Sequence, residues 1–234
     1  VIGFTEEVNI NELCELGKSR GVKVIFDLGA AFLTEDYLPG ALRGQVPSVK
    51  KCVNAGCDIV CFSGDKIFGS TQAGIILGHK EDVEKIKKNP FTRMLRTDKL
   101  DLCVLEKTLR LYKDYPTAIK NIPALSMLFA KEDELKKRAE EICMEINGKV
   151  RDGVYIKIVE TEDEPGGGSM PGVYLKGYAL EIRADDLKED EIEEKLRKNS
   201  VPIISRIYDK GVLISVRTLM PQDEKDIVDA IIKL

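Results

Sequence analysis

Lys66 is the residue around which a chemistry can be built. It lies in Ser63-Gly64-Asp65-Lys66-Ile67-Phe68-Gly69, between an apolar run ending at Phe62 and another starting at Ala73. A lysine that leaves the carboxyl edge of an α/β sheet on a glycine-flanked loop stands where open sheets of that kind hold their ligands. Desolvated there, its amine is a neutral nucleophile, the form that Schiff-base chemistry with a carbonyl or with pyridoxal phosphate requires. The alternative is a solvated loop lysine. Asp27 bears on the choice, because it ends another apolar run, Lys23-Val24-Ile25-Phe26-Asp27, just before Leu28-Gly29. A buried carboxylate facing a pyridinium nitrogen keeps such a ring protonated and able to accept electrons. The alternative for Asp27 is a carboxylate that caps the next turn. Taken together the two residues say more than either alone.

Two further stretches have the composition of anion sites. Arg93 and Arg96, in Arg93-Met94-Leu95-Arg96-Thr97-Asp98-Lys99, are three residues apart just before a helical segment. On a continuous helix they would share a face, and two guanidinium forks suit a phosphate or another oxyanion; equally, they could form a solvated basic face paired with Asp98. Gly166-Gly167-Gly168-Ser169, between Pro165 and Met170-Pro171-Gly172, lets backbone N–H groups converge on an anion or lets a backbone pass close to a substrate. It has neither the Lys-Ser/Thr of a phosphate-binding loop nor a dinucleotide fingerprint, and a flexible loop without function has the same composition. The six cysteines form no CxxC pair, and the single histidine, His79, follows Gly78. The spacing of Cys52, Cys57 and Cys61 matches no zinc pattern, so no metal site is expected and these thiols read as core residues.

The elements that must position these residues follow from apolar periodicity. Up to about residue 120, amphipathic segments alternate with short apolar runs: a helix from about Ile10 to Lys18, strands Lys23–Asp27, Asp58–Phe62 and Ala73–Leu77, a helix opened by Pro47 to Ala55, and helices Glu81–Lys88 and Asp98–Tyr112. Such alternation predicts βαβ units and a largely parallel sheet. Pro116 and Pro123 mark a hinge-like region, after which the pattern is that of a small α+β domain. Its predicted elements are a helix Lys131–Asn147, strands Val154–Val159 and Tyr178–Arg183, a helix Glu189–Lys198, and a hairpin Ile203–Tyr208 with Val212–Val216. Glycine at the left-handed position of Asp209-Lys210-Gly211 turns that hairpin, and a helix Glu224–Ile232 follows. The expected division is therefore 1–120 and 121–234. With 234 residues, 43% hydrophobic and 32% charged, the chain has the composition of a globular protein, and no run reaches the roughly 18 apolar residues of a spanning helix. A net charge of -4 excludes a basic nucleic-acid binder by bulk electrostatics. The chain opens Val1-Ile2-Gly3-Phe4, without initiator methionine or signal sequence. With unpaired cysteines, it reads as a piece of a longer cytoplasmic protein.

Phe26-Asp27-Leu28-Gly29, Ser63-Gly64-Asp65-Lys66 with Gln72-Ala73-Gly74-Ile75-Ile76, Arg93-Met94-Leu95-Arg96 with Asp98-Lys99, Gly166-Gly167-Gly168-Ser169-Met170-Pro171-Gly172 and the Arg206 to Arg217 hairpin occur in this order along nearly the whole chain. In that order they resemble the selenocysteine synthase family, the L-seryl-tRNA(Sec) selenium transferases. The resemblance implies an α/β fold: the C-terminal part of an aspartate-aminotransferase-like, fold type I pyridoxal-phosphate domain, plus a small α+β C-terminal domain. It implies that Lys66 carries pyridoxal 5'-phosphate, that Asp27 partners the pyridine nitrogen, that Asp65 is a further active-site residue and that Arg93 and Arg96 hold the phosphate of selenophosphate. Gly166, Gly167, Gly168, Ser169 and Arg206 are implied as a substrate loop. The implied reaction converts seryl-tRNA(Sec) to selenocysteyl-tRNA(Sec) through an aminoacrylyl intermediate. Family members are about twice as long, with the tRNA bound mainly through the N-terminal part, and assemble as dimers or larger rings; this piece would then be inactive alone. Ala30-Ala31 stands where a serine and a glycine are expected after Asp27-Leu28-Gly29. The alternatives are a related lyase acting on a small amino acid or amino sugar, and a folding or assembly module without catalysis.

Overall fold

A computed structural model describes residues 8–45, 48–166 and 169–234. They fall into two compact units, one of residues up to Phe129 together with Glu164–Val173, the other of Ala130–Asp163 and Tyr174–Leu234. Among the described residues no helix is long and apolar enough to cross a membrane.

In the first unit, helix α1 (Ile10–Arg20) starts where the Asn9 side chain accepts the Asn11 N–H, and stops at Gly21, whose φ of 63° needs a residue without Cβ strain. Strand β1 (Ile25–Gly29) follows. Helix α2 (Val49–Ala55) is capped by the Ser48 hydroxyl; Pro47, expected to open it, lies outside the described residues. Strands β2 (Ile59–Ser63) and β3 (Gly74–Gly78) complete a sheet of order β1-β2-β3. The pair β1–β2 is parallel, as βαβ periodicity predicts, but β2–β3 is antiparallel. The short connection from Gly64 to Ala73 explains the difference: a parallel return needs a crossover of about a dozen residues or more, and this stretch contains no helix.

Helices α3 (Lys80–Lys87), α4 (Phe91–Leu95), α5 (Lys99–Leu111), α6 (Tyr115–Asn121) and α7 (Pro123–Phe129) complete the first unit. The hinge-like prolines thus sit inside helix starts, Pro116 in the first turn of α6 and Pro123 at the head of α7, where a missing N–H costs nothing. The apolar side chains of α5 pack only in part. Leu105 and Tyr112 lie against the cluster of Ala31, Val49, Phe62 and Phe68, whereas Leu102 and Leu109 are exposed.

The second unit is an antiparallel sheet covered on one face by helices. Its elements are α8 (Glu132–Ile146), β4 (Val154–Asp163), β5 (Leu175–Ala184), α9 (Glu189–Arg197), β6 (Arg206–Tyr208), β7 (Gly211–Ser215) and α10 (Asp223–Ile232), with strand order β4-β5-β7-β6. Leu135, Ala139, Ile142 and Ile146 of α8 follow helical spacing and bury against Leu180, Ile182, Val212 and Ile214. β4 and β5 run longer than apolar alternation predicts, since their ladder continues from Val154↔Ala184 through the polar residues to Asp163↔Leu175. Buried Arg217 anchors that polar end, its Nε donating to Asp163 Oδ2 at 2.7 Å. β6 is shorter than predicted because the Ile203 N–H donates to the Leu196 carbonyl rather than to the sheet. In the hairpin the left-handed residue is Asp209, with φ of 52°, not Gly211. Glycine is needed at 211 for a different reason: a Cβ there would stand 2.9 Å from Cγ of buried Glu181.

Candidate active site

The loop after β2 holds Lys66 by fixing its neighbours. The Gly64 N–H donates to the Ala73 carbonyl at 2.8 Å, Ser70 N–H to the Gly64 carbonyl at 2.7 Å and Gly69 N–H to the Lys66 carbonyl at 2.9 Å. A side chain at Gly64 would put Cβ 2.7 Å from the Thr71 carbonyl oxygen, so the loop closes this tightly only around glycine. Ile67 and Phe68 are buried. The Phe68 ring stacks on Tyr112 with centroids 4.7 Å apart, and the Tyr112 hydroxyl donates to the Phe68 carbonyl at 2.9 Å. Burial raises the pKa of the Tyr112 hydroxyl, and it stays a donor.

With its neighbours pinned, Lys66 is half-buried and its amine turns toward the end of β1: a Cβ on Gly29 would lie 3.7 Å from Nζ. Among the described residues Lys66 has no side-chain hydrogen bond or ion pair. An amine that is partly desolvated and without a carboxylate partner suits nucleophilic attack on a carbonyl. Gly29 takes a φ of 60°, and its N–H donates to Asp27 Oδ1 at 3.0 Å. Asp27 therefore does cap the turn, and in this chain its side chain is exposed rather than buried. Its partner across the parallel ladder is Cys61, and β1 is irregular between Asp27 and Gly29. Burial first, then the nearby Asp27 carboxylate, push the Cys61 thiol up. Asp27, Gly29, Cys61 and Lys66 thus meet at the carboxyl edge of the two parallel strands. These residues fit pyridoxal phosphate, because an unpaired amine and a carboxylate with free lone pairs face one edge.

The other candidates are placed differently. Asp65 is exposed beside Lys66. Arg93 lies in the last turn of α4, while Arg96 has left the helix with φ of -69° and ψ of 134°, so the two do not share a helix face. Both are exposed, and no ion pair with Asp98 forms; Asp98 instead caps α5 by accepting the Leu100 and Asp101 N–H groups. Gly167 and Gly168 lie outside the described residues. Gly166 has φ of 73° and accepts the Ser169 N–H at 2.9 Å, and Ser169 is buried within the first unit. Arg206 is exposed at the start of β6 in the second unit.

Sequence reasoning missed Cys61 as the neighbour of Asp27, since only strand register reveals it. It also missed a charge cluster at the opposite strand ends, where Lys23 Nζ lies 2.8 Å from Asp58 Oδ1 and 3.1 Å from Asp82 Oδ2, with His79 Nδ1 3.7 Å from Asp58. The ammonium already fills the space between the acids. Cys14, Cys52 and Cys57 are buried, as core thiols should be, with Cys14 and Cys57 sulfurs 3.5 Å apart; Cys61 is half-buried and Cys103 exposed.

This architecture is that of the fold type I pyridoxal-phosphate enzymes, the C-terminal part of the large domain with a small α+β domain. The solved structure of a D-glucosaminate-6-phosphate ammonia-lyase matches 97% of this chain and 53% of its own, with TM-score 0.56 at 19% identity, a likeness of fold. A family model described as L-seryl-tRNA selenium transferase matches residues 1–220. L-seryl-tRNA(Sec) selenium transferases from Clostridium botulinum and Clostridium perfringens are each 40% identical, over 100% and 99% of this chain. That from Alkaliphilus oremlandii is 39% identical over 98% of the chain. The chain belongs to the L-seryl-tRNA(Sec) selenium transferase family. It spans about half the length of these relatives, 50% of the first and 49% of the other two.

Proposed function

We propose that this chain supplies the cofactor lysine and its surroundings to an enzyme that converts seryl-tRNA(Sec) to selenocysteyl-tRNA(Sec) with selenophosphate. The observation that carries the reading is the unpaired Lys66 amine turned toward Gly29 beside Asp27, in a chain of this family. Pyridoxal phosphate, when bound, supplies an electron sink for a carbanion next to the seryl carbonyl. Lys66 would anchor the cofactor, and its amine would move the proton at the seryl Cα. Asp27 would partner the ring nitrogen and keep it protonated. Arg93 and Arg96 hold the phosphate of the selenium donor; the substrate's carboxyl is esterified to tRNA, so no arginine has to clamp a carboxylate. Asp65 borders the reacting centre, and Gly166 and Ser169 belong to the substrate loop.

The tRNA is bound mainly through the N-terminal part of the full-length protein, which works in the cytoplasm as dimers or a larger ring. The chain by itself is inactive. The test supplies the full-length protein with seryl-tRNA(Sec) and selenophosphate and measures selenocysteyl-tRNA. Product that disappears in Lys66→Ala supports the reading. Elimination from a free small amino acid, with no selenocysteyl-tRNA, overturns it.

A further inference from the structure

We propose that Asp101 is a positioning residue, which accepts the Thr71 hydroxyl and so ties the loop that carries Lys66 to helix α5. The proposal rests on the reading of Lys66 as the cofactor lysine. The loop closes on itself, because the Gly64 N–H donates to the Ala73 carbonyl and the Ser70 N–H to the Gly64 carbonyl. Thr71 stands at that closure, its carbonyl oxygen 2.7 Å from the place a Cβ on Gly64 would take. A group that holds Thr71 therefore holds the backbone two residues before Lys66.

Helix α5 reaches the loop through hydrogen bonds at both of its ends. In its first turn Asp101 Oδ1 accepts the Thr71 hydroxyl, and at its C-terminal end the Tyr112 hydroxyl donates to the Phe68 carbonyl at 2.9 Å. The two helix positions are roughly 16 Å apart along the axis at 1.5 Å per residue. A loop tied at one point can pivot about it, and a second tie that far away removes most of that freedom. Asp101 is available for the task. Capping of α5 falls to Asp98, which accepts the Leu100 and Asp101 N–H groups, and among the described residues no cation pairs with the Asp101 carboxylate. Thr71 and Asp101 are both half-buried, and an ionised acceptor in such a place makes a stronger bond than a neutral one.

The test compares Thr71→Val, which keeps the shape and removes the hydroxyl, with Thr71→Ser, which keeps a hydroxyl, in the full-length protein. Without cofactor, hydrogen exchange at the Gly64, Gly69 and Ser70 amides should be roughly ten-fold faster in Thr71→Val and return toward wild type in Thr71→Ser. Asp101→Ala should match Thr71→Val, and the double variant should add nothing to either; if Asp101→Ala does not fold, the two Thr71 variants decide alone. In the pyridoxal-phosphate-loaded protein, Thr71→Val should shift the pH midpoint of the visible cofactor band and lower kcat with KM little changed, and Thr71→Ser should restore both. A contact that serves stability alone leaves that midpoint in place. Valine and serine variants that behave alike, or faster exchange with an unmoved midpoint, overturn the proposal while leaving Lys66 its role if Lys66→Ala abolishes the band. A band that survives in Lys66→Ala overturns the reading of Lys66 and this proposal with it.

Discussion

Lys66 is half-buried beside the buried Ile67 and Phe68, and among the described residues no acid pairs with it; in the proposed function its amine is the cofactor anchor. Lys66→Ala should therefore lower turnover of the full-length enzyme by at least about 10²–10⁴-fold and abolish the visible band of bound pyridoxal phosphate, read by absorbance after desalting. For the arginines the measurement is the selenophosphate dependence of the rate. A charge-assisted hydrogen bond is worth about 1.5–3 kcal/mol, so Arg93→Ala or Arg96→Ala should raise KM for selenophosphate roughly ten- to a hundred-fold with kcat less affected. An unchanged KM in both removes the phosphate role. Lys66 and Asp27 were legible as a pair from residue type and strand-end position. Cys61 was not, because its place beside Asp27 depends on a register between strands distant in sequence.

At the scale of elements, the lysine loop and the strand-end cluster are the parts that single changes can disturb. Gly69 combines a φ of 73° with a Cβ position 2.3 Å from Ile122 Cγ2. Gly69→Ala should cost about 2–4 kcal/mol from left-handed strain and overpacking, measured as a lower urea midpoint. At the other strand ends, the Lys23 ammonium first and the Val24 N–H second hold the Asp58 carboxyl below its ordinary range, and Asp58 in turn holds Lys23 above its own. A depressed carboxylate stabilises the fold above its unfolded pKa of about 3.9, and that contribution is lost as pH falls through the folded value. A raised ammonium stabilises below about 10.4 and loses the contribution as pH rises through its folded value. Lys23→Met should therefore melt at lower temperature than wild type between these limits, with the gap closing below about pH 4. A gap constant down to pH 2 contradicts this. The helices were legible from caps such as Asn9 and Asp98 and from apolar spacing. The direction of β3 was not, because an apolar run reads the same way in parallel and antiparallel sheets.

For the molecule as a whole, periodicity marked the change from α/β to α+β, yet it could not place Glu164–Val173 with the first unit, since that assignment depends on packing rather than on local sequence. The same distinction between near and distant partners sorts the candidate site. The loop carrying Lys66 is closed by the adjacent strands β2 and β3, through contacts such as Gly64 with Ala73 that span few residues. Asp27 joins it only through the pairing of β1 with β2, which brings together Asp27 and Cys61 across the whole of α2. Closing the longer segment loses more chain entropy. In refolding followed by amide exchange labelling, protection at Gly64, Gly69 and Ser70 should precede protection across the β1–β2 ladder. The Lys66 arm is thereby ready before the Asp27 carboxylate arrives, and assembly of the candidate site waits on its slowest and longest loop.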